Sequence, residues 1–503
     1  MISRIIPAAA MALPLFLVFR RTVHMYQLCS YQSPSYKKYL RENKGETFGQ
    51  QRLLPVALML AGMFVSWVLT AAAACFFVII NPIKKAKKPL VWTARVKRLA
   101  VTAAVIYIAL CFICMEAVPA YILFMPYLIM ALARINAPVE KAISDHYIRD
   151  AQRILREDTG VTVIGITGSY GKTSTKYFLK ELLSVKYNVY MTPGNYNTTL
   201  GVTRAIREGL KPTHDIFLCE MGARHVGDIA ELCSLFHPDI GVITAIGPQH
   251  LETFGSQENI TAEKLELYRA TRDRGGTFLN TDSPIISSGS YDGKVTLYGT
   301  GLGCDYRGSD ISVGAFGSTF TVTAPDGRAC RFTTRLLGPA NVQNLIGAIA
   351  VANSLGIDMG RLVPAVAGLE SVPHRLQLIS GGSGVWYIDD AYNSNPEGAR
   401  AALDTLSMCG DMARVMLTPG MVELGEREAE LNREMGRYAA DKCDYAVLVD
   451  KKRGPDIKQG LLDGGFPEDR IFLTDSLEKG LEFTRGIAGS RMVLLLNDLP
   501  DHY

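Results

Sequence analysis

The sequence predicts an α/β protein in which transmembrane helices precede a soluble body built on parallel sheets. Three observations support this fold class: a divided charge, a long uncharged run, and a strand followed by a glycine-rich turn and a helix. The 503 residues include 53 Lys and Arg against 49 Asp and Glu. Residues 1–140 hold 16 basic and 4 acidic residues, whereas residues 141–503 hold 37 and 45. This division excludes a uniformly basic nucleic-acid binder, so no nucleic-acid partner is expected.

Apolar segments dominate the first 140 residues. Residues 53–83 form an uncharged run of 31 residues, longer than the ~20 that a helix needs to cross the hydrocarbon core. They predict one transmembrane helix. Residues 99–133, interrupted by Glu116 and Pro119, predict either a short helical hairpin or one long kinked helix. Residues 5–19 lack a clear cleavage site and favour a retained anchor over a signal peptide.

Basic residues flank the uncharged run on both sides. Residues 84–98 hold seven Lys or Arg, which favours a cytoplasmic location for this loop. The soluble body then also lies in the cytoplasm if residues 99–133 form a hairpin. Residues 20–52 are equally basic, so a single span at 53–83 puts one of the two basic loops on the side of the membrane away from the cytoplasm. The sequence alone leaves this conflict open.

A phosphate-binding loop is the clearest motif of the soluble body. Residues 161–166 (VTVIGI) predict a buried strand, residues 167–172 (TGSYGK) a glycine-rich turn, and residues 173–183 a helix. Such a turn closes backbone N–H groups around an anion, while its lysine and a following threonine serve phosphate and Mg²⁺. Ile166 stands where the pattern GxxxxGK[ST] requires glycine, so a glycine turn with an incidental lysine is the alternative. The candidate ATP-binding residues here are Gly168, Ser169, Gly171, Lys172, Thr173 and Ser174.

Further segments follow this loop in a fixed order. They are GNYNTTLGVTRAIRE (194–208), CEMGARHVGDIAEL (219–232), DIGVITAIGPQHLETFGSQENITAEKLEL (239–267), GPANVQNLIGAIAVANSLGI (338–357), SVPHRLQ (371–377), DDAYNSNPEGARAAL (389–403) and TPGMVELGE (418–426). Together with the phosphate-binding loop, they resemble the Mur ligases, most closely those that add D-alanyl-D-alanine. Several motifs in one order are far more specific than any single motif.

The resemblance implies an ATP-dependent amide ligase of peptidoglycan precursor synthesis. The apolar segments and basic loops place it in the bacterial plasma membrane as a multi-pass protein, with its catalytic domains in the cytoplasm. The carboxylate of a muramoyl peptide would become an acyl phosphate, and the amine of D-alanyl-D-alanine or a similar D-amino compound would attack it. ATP and two Mg²⁺ are the implied cofactors. Membrane segments replace the family's usual domain for the uridine nucleotide, so the acceptor is nucleotide-linked or lipid-linked, and membrane lipid is an expected partner.

Three rival functions stay open at this point. A Mur-like ligase of another polymer, such as poly-γ-glutamate, is the closest rival. A membrane transport ATPase also combines spans with a phosphate loop, but the chain has no convincing transporter signature. A non-catalytic membrane scaffold would not need the metal-site residues that the sequence retains.

The resemblance assigns the metal-site residues individually. Lys172 contacts the β- and γ-phosphates, and Glu220 binds the first Mg²⁺ with Thr173. His250 and Lys264 hold the second Mg²⁺, with Lys264 carbamylated into a carboxylate. Without the family, Glu220 reads as a capping or salt-bridged residue, His250 as a packed one, and Lys264 as a solvated helix residue.

The resemblance also assigns the nucleotide and acceptor sides. Asn341 and Asn344 lie three apart on a predicted helix, hence on one face, as adenine recognition requires; core-facing or capping asparagines are the alternative. Arg375 serves the transferred phosphate and Asp390 the ribose, with a domain-joining salt bridge as the alternative. Asn393 in the adjoining turn is a further ATP-binding candidate. The loop facing the acceptor contributes Asn195, Asn197 and Thr198.

Three regions follow from these assignments. Residues 1–140 form the membrane region, residues 141–371 the central ATP-binding domain, and residues 372–503 a Rossmann-like carboxyl-terminal α/β domain. Residues 299–335 alternate Ser, Thr, Val and Phe, and predict antiparallel strands inserted into the central domain. The segment GGSG at 381–384 joins two predicted strands and indicates a hairpin turn.

Overall fold

The boundary between the two parts of the chain falls inside a long helix. The computed structural model describes residues 2–82, 88–249, 251–391, 395–422, 424 and 427–497. One unit ends at His146 and the other begins at Tyr147. The predicted positions His250 and Asn393 therefore lie outside the described residues.

The amino-terminal unit is helical throughout its described part. Its helices are α1 (Ile2–Leu28), α2 (Ser33–Glu42), α3 (Lys44–Phe48), α4 (Gln50–Val65), α5 (Trp67–Ile80), α6 (Ala94–Ile113) and α7 (Val118–Arg153), the last of which continues into the second unit. Three helical segments are long and apolar enough to cross a membrane: Ile5–Leu28, Ala94–Ile113 and Met115–Glu157. The helices α4 and α5 are shorter apolar helices.

The prediction of one continuous helix over residues 53–83 is wrong. The helix α4 ends at Val65 and α5 begins at Trp67, because Ser66 between them has an extended backbone with φ −165° and ψ 134°. The Ser66 hydroxyl accepts a hydrogen bond from the Val68 N–H at 3.2 Å. A serine that caps a following helix competes with continuation of the preceding one. Ser66 therefore divides the apolar run.

The helices α4 and α5 fold back on each other as an antiparallel hairpin. The Thr70 hydroxyl donates to the Met59 carbonyl at 3.4 Å. Nearer the ends, the Asn81 side-chain amide donates to the Gln51 carbonyl at 3.0 Å. A methyl group at Gly62 would lie only 2.6 Å from the Thr70 nitrogen, so this glycine permits the close approach of the two helices.

The second apolar stretch is also a hairpin, which decides between the two alternatives for residues 99–133. A short 3-10 turn, Met115–Ala117, separates α6 from α7. The two helices are joined by an Arg98–Glu140 ion pair at 2.6 Å. They are also joined by a hydrogen bond from the Asn136 amide to the Thr102 hydroxyl at 2.9 Å.

The central domain contains a nine-stranded sheet in the order β2-β3-β1-β4-β5-β6-β7-β8-β9. The strands are β1 (Thr162–Thr167), β2 (Val189–Met191), β3 (Ile216–Glu220), β4 (Ile240–Ile243), β5 (Thr277–Asn280), β6 (Val295–Gly299), β7 (Tyr306–Gly314), β8 (Gly317–Thr323) and β9 (Ala329–Thr334). All neighbours from β2 to β7 pair in parallel, and β7, β8 and β9 pair antiparallel. The predicted parallel sheet and its antiparallel insertion are confirmed.

Helices cover both faces of this sheet. They are α8 (Lys172–Leu183), α9 (Thr199–Gly209), α10 (Asp228–Phe236), α11 (Leu251–Phe254), α12 (Gln257–Thr271), α13 (Pro284–Ser287), α14 (Pro339–Ser354) and α15 (Met359–Ala367). The helices α8 and α14 share one hydrophobic core, and α10 and α12 share another. In the register, Ile166 of β1 pairs with Glu220 of β3, and Thr167 pairs with Ile243 of β4. Three carboxyl strand ends therefore meet at one edge, where ligands bind in parallel sheets.

The carboxyl-terminal domain contains a six-stranded sheet in the order β10-β11-β15-β12-β13-β14. Its strands are β10 (Gln377–Gly382), β11 (Val385–Asp390), β12 (Ala413–Thr418), β13 (Tyr445–Leu448), β14 (Ile471–Leu473) and β15 (Arg491–Leu496), and its helices are α16 (Pro396–Ser407), α17 (Glu428–Ala439), α18 (Gly454–Asp463) and α19 (Leu477–Gly486). Only β10 and β11 pair antiparallel, through a turn with positive φ at Ser383 and Gly384. The predicted GGSG hairpin is confirmed.

Candidate active site

The glycine-rich turn forms a concave loop between β1 and α8. Gly168 has φ 151° and Gly171 has φ 80°, conformations that favour glycine. A methyl group at Gly171 would lie 2.5 Å from the Asn344 side-chain oxygen, so only glycine fits against α14. The first backbone N–H groups of α8 have no partner within the helix and face this loop, which makes its amino terminus suitable for an anion.

Ser169 supports the loop from behind. Its hydroxyl donates to the Gly247 carbonyl at 2.9 Å and accepts from the Gly247 N–H at 3.1 Å. The Ser169 N–H also donates to the Ala245 carbonyl at 2.7 Å. Among the predicted ATP-binding residues, Ser169 is thus committed to holding the segment after β4 against the loop.

Lys172 supplies the cation of the loop. Its ammonium donates to the Gly168 carbonyl at 2.6 Å and to the Ser169 carbonyl at 3.2 Å. Burial lowers the pKa of Lys172 to about 8, with nearby Arg375 acting in the same direction and Glu220 opposing both. The Arg375 charge, which comes from the segment before β10, therefore lies near the phosphate-binding loop.

Glu220 is the buried carboxylate of the site. At the end of β3, its two oxygens lie 3.2 and 3.1 Å from the Thr173 hydroxyl, and one accepts from the Asn197 amide at 3.2 Å. Burial opposes ionisation of Glu220, but Lys176 and Lys172 outweigh that effect and hold its pKa below the ordinary value. Thr173 and an ionised Glu220 thus form a pair of hard oxygen donors beside the loop.

Lys176 is a site residue that the sequence analysis missed. Its ammonium lies 2.9 Å from a Glu220 oxygen and donates to the Gly194 carbonyl at 2.7 Å. The side chain is fully buried. In the sequence, a lysine at this position of a helix is most simply interpreted as solvated. The one signal of its burial is helical spacing, which places Lys176 one turn after Thr173, on the face towards the sheet.

The predicted acceptor loop is tied to this same carboxylate. The Gly222 N–H donates to the Asn197 carbonyl at 2.8 Å, and the Asn197 N–H donates to the Asn195 carbonyl at 2.8 Å. Thr198 caps α9 by accepting from the Gly201 N–H at 3.4 Å. The loop thus lies beside Glu220, with Asn197 as the contacting side chain.

Lys264 lies on the other side of the site, within α12. It is almost fully buried and is 6.0 Å from the centre of the Phe254 ring. Burial lowers the pKa of Lys264 to about 7, Lys172 adds to this effect, and Glu263 and Asp228 oppose it. The solvated-helix alternative is therefore wrong. Within the described part of the chain, Lys264 has no ion pair within 4.0 Å.

Glu263, next to Lys264, is occupied by backbone groups. Its carboxylate accepts from the Gly227 N–H at 2.7 Å and from the Ile229 N–H. It thereby caps the amino terminus of α10. Glu263 therefore fixes α12 against α10 and is not a direct counter-ion for Lys264.

The two predicted adenine asparagines differ in their contacts. Both are buried on α14, and Asn344 reaches the turn at Gly171. The Asn341 amide instead donates to the Leu337 carbonyl at 2.9 Å, one turn earlier. Asn344 thus lies at the loop, while the Asn341 amide is bonded to the backbone just before α14, and adenine binding by either residue stays a prediction.

The segment joining the two domains places Arg375 between two strained residues. His374 and Leu376 have φ 60° and 46°, in the left-handed region that disfavours non-glycine residues. Asp390 accepts from the Leu376 N–H at 3.2 Å. Burial raises the pKa of Asp390 to about 7, although Arg375 opposes this shift. Asp390 thus holds the segment before β10 in place, and its role at the ribose stays a prediction.

A direct contact between the two domains was also missed by the sequence analysis. Tyr170 of the glycine-rich turn hydrogen-bonds to Glu397 at the start of α16, and burial followed by the Glu397 charge raises the pKa of Tyr170. A methyl group at Gly247 would lie 2.9 Å from a Glu397 oxygen. The carboxyl-terminal domain therefore contacts the phosphate-binding loop directly.

The fold and this site define a phosphate-binding enzyme of the α/β class, with its site at the carboxyl ends of parallel strands. The family model described as Mur ligase middle domain matches residues 166–352, and that described as Mur ligase, glutamate ligase domain matches residues 374–497. A UDP-N-acetylmuramoyl-tripeptide--D-alanyl-D-alanine ligase of Bacillus subtilis is 34% identical over 317 residues, covering 63% of this chain and 68% of that relative. The chain therefore belongs to the Mur ligase family, ATP-dependent ligases that form carbon–nitrogen bonds.

Other relatives agree with this assignment. The ligase of the same name from Mycobacterium tuberculosis is 34% identical over 302 residues, and the chain spans 58% of its length. The structure of MurF from Thermotoga maritima in complex with ADP has a TM-score of 0.62 and 26% identity, covering 71% of this chain and 80% of that one. MurF from Acinetobacter baumannii matches with a TM-score of 0.62 and 25% identity, covering 71% and 78%. Both family models begin after residue 165.

Proposed function

We propose that the chain is a membrane-anchored ligase that joins D-alanyl-D-alanine, or a similar amine, to a muramoyl peptide through an acyl phosphate. The observation that carries this proposal is the convergence of Lys172, Glu220 and Lys264 around one phosphate-binding loop. The names of the relatives support the dipeptide as the amine and the muramoyl tripeptide as the acceptor.

The cationic residues of the site are suited to bind several anionic groups close together. The β- and γ-phosphates of ATP and the acceptor carboxylate must lie together before a phosphoryl group moves. Lys172 and Arg375 supply positive charge from the two sides of the domain junction. Charge that develops on the transferring group is compensated by cations already in place.

Mg²⁺ fits the donors beside the loop. Glu220 and the Thr173 hydroxyl are hard oxygen donors within 3.2 Å of each other. Along the described ranges, no cluster of three or more His, Cys, Asp or Glu is arranged to hold a metal. This agrees with Mg²⁺, which is usually held by one or two protein oxygens together with phosphate and water. A bound ion would neutralise phosphate oxygens, and Glu220 with Thr173 would hold it.

Lys264 is proposed to carry a carbamate that contributes to a second Mg²⁺ site, with His250 as a further ligand. A buried amine with a pKa of about 7 is substantially neutral at physiological pH. The neutral nitrogen attacks the carbon of CO₂, an N–C bond forms, and the nitrogen releases one proton to water. One C=O π-bond of CO₂ opens in this step, and the product is a carboxylate-like anion in place of the neutral amine.

The ligase proposal is tested by ATP-dependent phosphate release with a panel of acceptors and amines. We expect release with a muramoyl tripeptide and D-alanyl-D-alanine, and none when either is omitted. Release with γ-glutamyl acceptors and glutamate in their place would favour the poly-γ-glutamate alternative. A Lys172→Met variant is the control, because loss of the loop cation should abolish release with every acceptor.

The membrane anchor is proposed to bring this site close to lipid-linked acceptors. The reason is that residues 1–165, outside both family matches, include three helical segments long and apolar enough to span a membrane. We place the catalytic domains on the cytoplasmic side of a bacterial plasma membrane. The test compares turnover of a UDP-linked and a lipid-linked muramoyl tripeptide by the detergent-purified chain. Equal turnover would contradict a preference for lipid-linked acceptors.

A further inference from the structure

We propose that α4 and α5 form a re-entrant membrane hairpin, with both ends at the cytoplasmic face and the Ser66 apex among the acyl chains of the bilayer. This inference rests on the proposed membrane anchor and adds its topology. The occupant of the outer apolar surface of the hairpin is bilayer lipid.

The length of the two helices limits how far they reach. The helix α4 has 16 residues and α5 has 14, which correspond to about 24 and 21 Å of helix axis. Both are shorter than the hydrocarbon core of about 30 Å. Because Gln51 and Asn81 are in contact at the open end, the chain enters and leaves on one side. The apex passes the midplane and stops short of the opposite interface.

The apex residue Ser66 has partners for its own backbone hydrogen-bonding groups. Ser66 is the only residue between the two helices, and its N–H donates to the Gly62 carbonyl at 2.7 Å. Its carbonyl accepts from the Leu69 and Thr70 N–H groups at 3.0 and 3.2 Å. Its hydroxyl accepts from Val68. Since backbone polar groups without partners are costly in hydrocarbon, these bonds lower the cost of placing Ser66 in lipid.

The side chains around the apex are apolar and exposed. Phe64 is 74% exposed and Val65 is 77% exposed, and the neighbouring Trp67 and Val68 are also largely exposed. A contiguous apolar surface of this kind marks an interaction site. Within residues 50–80, the charged side chain is Arg52, which lies near the open end of the hairpin. The charge-free apex therefore fits lipid chains.

The hairpin removes the charge conflict that a single span creates. The segments 20–52 and 84–98 each hold seven Lys or Arg. Loops rich in Lys and Arg stay on the cytoplasmic side. A hairpin between them places both on that side, and the hairpin of α6 and α7 then returns the chain to the cytoplasm before the ligase domains.

Cysteine labelling of the full chain tests the topology. In a background without native cysteines, Ser35→Cys and Val91→Cys mark the chain before and after the hairpin, and Glu116→Cys marks the turn between α6 and α7. With a membrane-impermeant maleimide, we expect the first two to react only after the cells are permeabilised, and Glu116→Cys to react in intact cells. Labelling of Ser35→Cys and Val91→Cys on opposite sides would overturn the hairpin.

The depth of the apex is tested with Trp67. The chain has three tryptophans, so a Trp92→Phe/Trp386→Phe variant reports on Trp67 alone. In vesicles, we expect bromines placed deep in the acyl chains to quench Trp67 more than bromines near the headgroups. Efficient quenching by aqueous iodide would contradict the inserted apex.

Carbonate extraction separates this inference from the anchor itself. Release of the chain from membranes would overturn both the anchor and the hairpin. Retention in the membrane, with Ser35→Cys and Val91→Cys on opposite sides, would leave the anchor standing and overturn only the hairpin.

Discussion

Lys176 on α8 and Lys264 on α12 are both buried at the candidate active site, yet their surroundings differ. Lys176 lies 2.9 Å from Glu220 and donates to a backbone carbonyl. Lys264 lies by an aromatic ring, its nearby carboxylate Glu263 is occupied by backbone N–H groups, and burial lowers its pKa to about 7. Two lysines of similar burial therefore lie in different environments, one beside a carboxylate and one without an ion-pair partner among the described residues.

The difference bears on the proposed roles of Glu220 and Lys264 in metal binding. The carboxylate that pairs with Lys176 is also the proposed metal ligand, and, against the effect of burial, the charges of Lys176 and Lys172 hold the pKa of Glu220 below its ordinary value before any ion arrives. Lys264 has no such partner among the described residues and is suited to react with CO₂. Substitution of either lysine, or of a residue that contacts it, should therefore affect different properties of the protein.

The largest expected effect is on stability at Lys176. Lys176→Met leaves the buried Glu220 carboxylate without its ion-pair partner, a loss of about 3–5 kcal/mol. We expect the melting temperature of the detergent-purified chain to fall by about 10 °C. The control Lys180→Met, an exposed lysine on the same helix, should leave it within about 2 °C. A Lys176→Met/Glu220→Met chain no more stable than Lys176→Met would contradict the pairing.

Substitution of Lys264 should instead lower the ligase activity. Lys264→Ala removes the nitrogen that carries the proposed carbamate, and we expect ligation to fall on the order of 100-fold. Acetate should restore part of the rate by supplying a carboxylate, as followed by phosphate release. The exposed Lys294→Ala variant should behave like the unmodified chain with and without acetate. A fully active Lys264→Ala chain, or one that no small carboxylate restores, would count against the carbamate.

The pH dependence of stability tests the lowered pKa of Lys264. The pKa of Lys264 is lower in the folded chain than in the unfolded chain, so between about pH 7 and 10 the unfolded state binds more protons. In CO₂-free buffer, stability relative to Lys264→Met should therefore rise with pH across this window, by up to about 1.4 kcal/mol per pH unit. Unfolding midpoints at pH 7.5, 8.5 and 9.5 measure the slope. Parallel curves for the two proteins would show that Lys264 keeps its proton.

The smallest effect is expected at Asn197, on the Lys176 side. Asn197→Ala removes one hydrogen bond to Glu220, a loss of about 1 kcal/mol. We expect KM for the acceptor to rise about fivefold while KM for ATP stays unchanged. The control is Asn188→Ala, whose side chain contacts the Thr213 carbonyl instead. An equal rise in both KM values would indicate a general disturbance of the loop.

The parts that could be predicted from the sequence are those with local signals. The glycine-rich turn, the antiparallel insertion and the GGSG hairpin follow from glycine spacing and strand alternation. Glu220 at a strand end follows from the preceding apolar run. Each of these depends on a few consecutive residues.

The missed features depend on contacts between distant residues. Lys176 reads as solvated because Glu220, the partner that explains its burial, lies 44 positions later. Tyr170 meets Glu397 only after two domains come together. The break at Ser66 was missed because apolar composition indicates that a segment is buried or in lipid, but does not indicate whether its helix is continuous. Here a single serine hydroxyl that caps the following helix interrupts it.

Under the proposed membrane topology, the division of the apolar run at Ser66 also bears on how the chain would enter a bilayer during synthesis. A helix that crosses completely must carry its flanking loop through the hydrocarbon, whereas a hairpin moves only its apex. Here that apex is one serine whose backbone groups are already hydrogen-bonded. In the proposed hairpin, the seven basic residues of segment 84–98 would stay on the cytoplasmic side during insertion and would not have to cross the hydrocarbon.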